Sequence, residues 1–214
     1  MENQRAIERL IFFTDAVAAI AITLLILPLV EIVTNDAGKY TVETFIYDNI
    51  SQLFAFALSF VIIARFWIAN HGILADTIGA PPILIWLDIA WVFTIVVLPL
   101  PTEITAVYPA SELTTLIYIG TCLINTLLLT AMSVYLYRHP ELERKDKPTS
   151  ALQVWGIGST AVGFVLSIAL ELIIPSLHYW VLLILLLATP LDLLVKPRIR
   201  RREHARREAA KAPN

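Results

Sequence analysis

The chain of 214 residues has a single cysteine, Cys122, set inside an apolar run. No disulfide framework can form within the chain, and the thiol reads as a small core residue. Charge is also scarce. Asp, Glu, Lys and Arg make up 16% of the chain, below the usual quarter of a soluble domain. The signatures of soluble enzymes are missing: there is no phosphate loop, G-x-G-x-x-G, H-E-x-x-H or C-x-x-C. The four histidines, His71, His139, His178 and His204, are scattered. A catalytic histidine needs a nucleophile and an orienting partner in reach, and the sequence offers neither. These absences argue against an enzyme and against a resident cofactor.

What is present is hydrocarbon, at 57% of residues. A membrane-spanning helix needs roughly 20 apolar residues. Six stretches qualify, over residues 6–33, 49–74, 82–107, 113–137, 152–174 and 177–195. Turn signals separate them, at Asn35-Asp-Ala-Gly38, Gly79-Ala-Pro-Pro82, Tyr108-Pro-Ala-Ser111, a charged loop, and Pro175-Ser176. Pro82 suits the first turn of the third helix, where a missing N–H does no harm. Barrel strands would alternate polar and apolar residues, so continuous runs favour helices. The first run is too long for a secretion signal and has no small-x-small cleavage site before Pro28. The expected fold class is therefore an all-α integral membrane protein with six transmembrane helices. Residues 1–195 form one transmembrane domain, and 196–214 form a basic tail.

Lys and Arg set the expected orientation. With the N-terminus inside, the inner segments hold Arg5 and Arg9, then Arg138, Arg144, Lys145 and Lys147, then eight residues of the tail: 14 of the 16 Lys and Arg. The outer loops hold only Lys39, and Arg65 sits within the second helix. An even number of helices places both termini in the cytoplasm. The outer side instead carries acids such as Glu31, Asp36, Glu43, Asp48, Glu103 and Glu112, which would raise the local cation concentration. The basic tail reads as a topology anchor with contact to anionic lipid rather than a nucleic-acid surface.

The first stretch carries both polar chemistry and a clean apolar lining. Arg9 and Asp15 stand at its inner end, and residues 16–27 are hydrocarbon except for Thr23. Charges at membrane depth cost on the order of 2–3.5 kcal/mol each, so they persist where they pair and face protein. Successive residues turn by about 100°, which brings Ile20, Leu24 and Leu27 within about 60° of arc, with Thr23 at the border. By the same rotation Asp15 points about 140° away from Ile20 and Thr14 about 120° away. Periodicity alone favours reading this ridge as packing or lipid-facing surface. On the opposite side Arg9, Thr14 and Asp15 need partners. Trp67, Asn70 and His71 at the inner end of the second helix reach the same level, and buried charges must be hydrogen-bonded. A structural clamp and a proton-relay path both fit this network, and the clamp needs fewer ionisable steps. Asp88 in the third helix has Arg65 as its obvious candidate partner.

Three motifs then resemble one family. Arg9-x-x-x-Phe13-Thr14-Asp15, Trp67-x-x-x-His71 and Leu98-Pro-Leu-Pro-Thr102 are similar to the R-x-x-x-F-[ST]-D, W-x-x-x-H and L-P-L-P-T patterns of the transmembrane protein 175 family. These are the prokaryotic relatives of the lysosomal potassium channel. Thr14 stands where serine is typical, Asn70 where a second histidine is common, and Asp88 where asparagine is common. The resemblance implies a homotetramer in which the first helix of each subunit lines a central pore. Ile20, Leu24 and Leu27 then form a hydrophobic constriction, with Thr23 as a polar layer that potassium meets transiently. The T-V-G-Y-G carbonyl filter is absent, so selectivity must come from elsewhere. Arg9, Phe13, Thr14, Asp15, Trp67, Asn70 and His71 become the structural network. The implied function is a potassium-permeable channel of the plasma membrane. The alternative is a proton-conducting pathway or secondary transporter using Asp15, His71 and Asp88.

Overall fold

A computed structural model describes residues 2–36, 41–108, 111–144 and 149–174. These residues contain no strand and eight α-helices: α1 (Glu2–Leu24), α2 (Leu27–Asp36), α3 (Val42–Asp48), α4 (Ile50–Leu74), α5 (Pro82–Val97), α6 (Pro99–Val107), α7 (Glu112–Arg138) and α8 (Ala151–Ile173). A short 3-10 turn, Pro140–Leu142, follows α7. Five helical spans are long and apolar enough to cross a membrane: Gln4–Asn35, Ile50–Leu74, Pro82–Val107, Glu112–Arg138 and Ala151–Ile173. The sixth expected span, 177–195, and the basic tail, 196–214, lie outside the described residues, as do Lys39, Lys145 and Lys147.

Two of the five spans are interrupted, each at proline. Leu25 and Ile26 form a turn between α1 and α2, and Pro28 lies in the first turn of α2. Leu98 separates α5 from α6, with Pro99 and Pro101 following. A proline removes an interior hydrogen bond and its ring clashes with the preceding turn, so both breaks follow from the sequence. Pro82 stands at the start of α5, where its missing N–H is harmless. The short helix α3 was not expected. Thr41 caps it by accepting from the Thr44 amide at 3.4 Å. Asn49 joins it to α4, donating its side-chain amide to the Phe45 carbonyl at 2.9 Å. At Ser111 the hydroxyl accepts from the Thr114 amide while the Thr114 hydroxyl accepts from the Ser111 amide, a reciprocal cap that starts α7.

The core lies along α7, which packs on α8, α5, α6 and α4. Its buried residues include Thr115, Tyr118, Ile119, Cys122, Asn125, Leu129, Met132 and Leu136, spaced by threes and fours along one stripe. Phe164 of α8 meets Phe66 of α4 with ring centroids 6.4 Å apart. α1 rests on α4 and α5 through Ile7, Thr14, Ala18, Ala21 and Leu25. The small side chains in the middle of that face let the helices approach closely.

The loops after α4 and α7 are clipped together. Ile78 N–H donates to the Leu142 carbonyl at 2.8 Å, and Arg144 N–H donates to the Asp76 carbonyl at 3.0 Å. This isolated antiparallel bridge pairs Thr77 with Glu143. The buried Glu143 carboxylate in turn accepts from the Thr149 amide and hydroxyl. The C-terminal ends of α4 and α7 therefore lie at the same end of the bundle.

Candidate functional site

The polar residues at the start of α1 divide into two clusters. The inner cluster centres on Asp88 of α5, which is fully buried. Thr14 donates its hydroxyl to Asp88 Oδ2 at 2.6 Å, and Asn70 donates its side-chain amide to Asp88 Oδ1 at 2.9 Å. Each carboxylate oxygen thus has a donor, supplied by α1 on one side and α4 on the other. Asp88, for which Arg65 was the obvious candidate partner, joins the α1 network through Thr14 and Asn70 and ties three helices together.

The second cluster is half-buried. Trp67 donates its indole N–H to Asp15 Oδ1 at 2.7 Å, and His71 Nδ1 lies 3.3 Å from the same oxygen. The Trp67 and His71 rings sit one turn apart, with centroids separated by 5.8 Å. Spacing of four residues on α4 places both rings on one face, opposite a single carboxylate of α1. Of the residues assigned to this network, Thr14, Asp15, Trp67, Asn70 and His71 come together. Arg9 and Phe13 are exposed, and among the described residues no hydrogen bond or ion pair joins Arg9 to either cluster.

Rotating about α1 changes the chemistry completely. Ile20, Leu24 and Leu27 are 58%, 43% and 50% exposed on the subunit, while Ala18 and Ala21 on the other face are 2% exposed. The ridge is therefore not the surface by which α1 packs into its own subunit. Thr23 is exposed beside it and donates its hydroxyl to the Ile20 carbonyl at 2.8 Å. A hydroxyl that donates its only proton keeps two lone pairs as acceptors. Thr23 can thus present oxygen to a cation while its rotamer is held by the helix.

Two further buried clusters brace the helices behind α1. Trp91 donates its indole N–H to Asn125 Oδ1 at 3.0 Å, Asn125 donates to the Thr94 hydroxyl at 2.6 Å, and Thr94 donates to the Trp91 carbonyl at 2.7 Å. Ser59 and Tyr118 share a 2.9 Å hydrogen bond, and Thr102 donates to Ser59 at 2.9 Å. Sequence reading missed Ser59, Tyr118 and Asn125. Asn125 did carry a signal, as a lone amide in the middle of an apolar span. Thr102 ends the Leu-Pro-Leu-Pro-Thr run, and its role is to lock α6 onto α4. No group of three or more metal-ligating side chains occurs among the described residues.

With five such spans, no strand among the described residues, and the Asp15 and Asp88 carboxylates hydrogen-bonded between helices, the fold is that of an integral membrane protein. Residues 9–99 match the family described as the endosomal/lysosomal potassium channel TMEM175. The fold is similar to the crystal structure of a lysosomal potassium-selective channel TMEM175 homolog from Chamaesiphon minutus. That similarity has a TM-score of 0.70 at 20% sequence identity, covering 88% of this chain and 98% of that one. No curated protein matches the sequence.

Proposed function

We propose that the protein is a potassium-permeable cation channel of the plasma membrane, working as a homotetramer with both termini in the cytoplasm. Four copies of α1 surround the axis. Ile20, Leu24 and Leu27 form rings of hydrocarbon that restrict flow by dewetting, and Thr23 supplies the polar layer. The observation that carries this reading is the division of α1 into a face sealed against its own subunit and an opposite ridge of exposed branched residues. The match of residues 9–99 to the potassium-channel family supports potassium as the permeating ion. The alternative, a proton pathway or transporter through Asp15, His71 and Asp88, is less well supported. Both carboxylates already accept from neutral donors on neighbouring helices, as a clamp requires.

The test is Ile20→Asn in lipid bilayers, with current and tetramer yield measured together. A ring of amides in the constriction holds water, so basal conductance should rise, with a smaller rise for Leu27→Asn. A ridge that merely contacts lipid or a neighbouring helix predicts lower yield and no added current. Coupled flux without unitary events would favour the transporter.

A further inference from the structure

The short helix α3 buries none of its residues, yet it carries large apolar side chains. Val42, Ile46 and Tyr47 are 71%, 47% and 82% exposed on the subunit, and Phe45 is half-buried. At about 100° per residue, Phe45, Val42 and Ile46 fall within about 100° of arc. Thr44 and Asp48 lie about 120–160° from both Val42 and Ile46. The helix is therefore amphipathic, with its apolar side open. Seven residues are too few to hold a helix in water unaided, so that side needs a cover. The main neighbour of α3 is α4. Asn49 fixes the corner between them: its main-chain N–H donates to the Phe45 carbonyl at 3.1 Å, and its carbonyl accepts from the Leu53 N–H at 3.0 Å. The span of α4 starts at Ile50, so α3 sits at the rim of the hydrocarbon, at the end of the bundle opposite the clipped loops. Tyr108, 62% exposed, leaves α6 at that same end. Exposed tyrosines collect where lipid meets water.

We propose that α3 is a membrane-surface helix whose partner is neutral, zwitterionic lipid, with Val42, Phe45 and Ile46 set into the boundary between headgroups and acyl chains. An interfacial helix buries its apolar face only to that boundary and leaves its polar face in water. Glu43 and Asp48 are the charged residues of α3, and both are acidic, so anionic headgroups are disfavoured. The backbone amide of Glu43, and after it the Thr41 hydroxyl, hold the Glu43 carboxyl below its usual range. That side chain therefore stays ionised and keeps its edge of the helix in water, which limits α3 to a shallow position. Through the Asn49 corner, the bilayer surface sets the depth of the first turn of α4. This holds whether or not α1 lines a pore.

Spin labels on the full-length chain in phosphatidylcholine vesicles test this. The buried Cys122 stays in place, and its labelling in the wild-type chain serves as the blank. Labels on Val42→Cys and Ile46→Cys should be reached readily by oxygen, which concentrates in lipid, and poorly by a water-soluble nickel chelate. A label on Thr44→Cys should show the reverse, with an oxygen-to-nickel ratio severalfold lower. All three side chains are exposed on the subunit, so the labels leave its packing intact. Nickel reaching positions 42 and 46 as readily as 44 would place α3 in water and overturn the proposal. Exclusion of both reagents from 42 and 46 would show that protein covers the face, a second copy of the chain included, and would overturn it equally. Repeating the measurement with phosphatidylglycerol added should leave the ratios at 42 and 46 unchanged or lower. A severalfold rise there would refute the choice of neutral lipid.

Discussion

Asp88 is the residue whose surroundings most constrain the inner end of α1. Its two oxygens take one donor each, from Thr14 and Asn70. Thr14→Val removes one donor and leaves a buried oxygen unsatisfied, at a cost of about 1–3 kcal/mol. Thermal denaturation of the purified protein should show the loss, and Thr14→Ser should restore stability. Asp88→Asn is expected to be mild by comparison. Its carbonyl can accept from Asn70, and its amide can donate to a Thr14 hydroxyl that has turned round. If Asp88→Asn proves as damaging as Thr14→Val, charge at this site does more than hold helices together. In the proposed pore, Thr23 would act at the same scale on ions rather than on stability. Thr23→Ala should reduce discrimination between potassium and sodium, read as a shift in reversal potential under mixed gradients, while conductance persists.

At the scale of elements, α1 is held by small residues in front of a braced wall. Ala18 and Ala21 meet neighbouring helices with almost no exposed surface. Ala18→Leu should overpack that contact, costing about 1–3 kcal/mol, and should lower the yield of folded protein. Ile20→Leu, on the exposed face, should leave yield unchanged. Behind α1, Asn125 joins α7 to α5 through Trp91 and Thr94. Asn125→Leu would strand the indole N–H, and the fall in melting temperature should match a loss of about 1–3 kcal/mol. An unchanged melting temperature would mean that Trp91 finds another acceptor.

For the whole molecule the governing feature is sidedness. The clip between the loops after α4 and α7 fixes those two helix ends at one end of the bundle. In the proposed orientation, which rests on the Lys and Arg distribution, that end faces the cytoplasm. Exposed positions in the described loops allow a direct check by cysteine labelling in intact cells, after Cys122 is replaced by alanine. Tyr108→Cys should react with an impermeant reagent added outside, and Glu141→Cys should react only after permeabilisation. Labelling of both from the same side would overturn the orientation.

The sequence by itself determined the helical membrane class, because runs of about 20 apolar residues have few alternatives in lipid. Both helix breaks fall at prolines, which act locally through a missing N–H and a ring clash, yet the expected spans 6–33 and 82–107 ran through them unbroken. The division of α1 into a polar side and an apolar ridge was legible, as it needs only the helical repeat. Which residues meet across helices was not legible. For Asp88 the sequence offered Arg65 as the obvious candidate partner, and only the packing of α1, α4 and α5 brought Thr14 and Asn70 to its two oxygens. Periodicity likewise favoured the ridge as packing or lipid surface. The tertiary structure decided that Ala18 and Ala21, not the ridge, form the packing face within the subunit, where small residues allow close approach. Hydrogen-bond pairing and close approach depend on how distant segments are placed in space, and a local pattern in the chain does not carry that information.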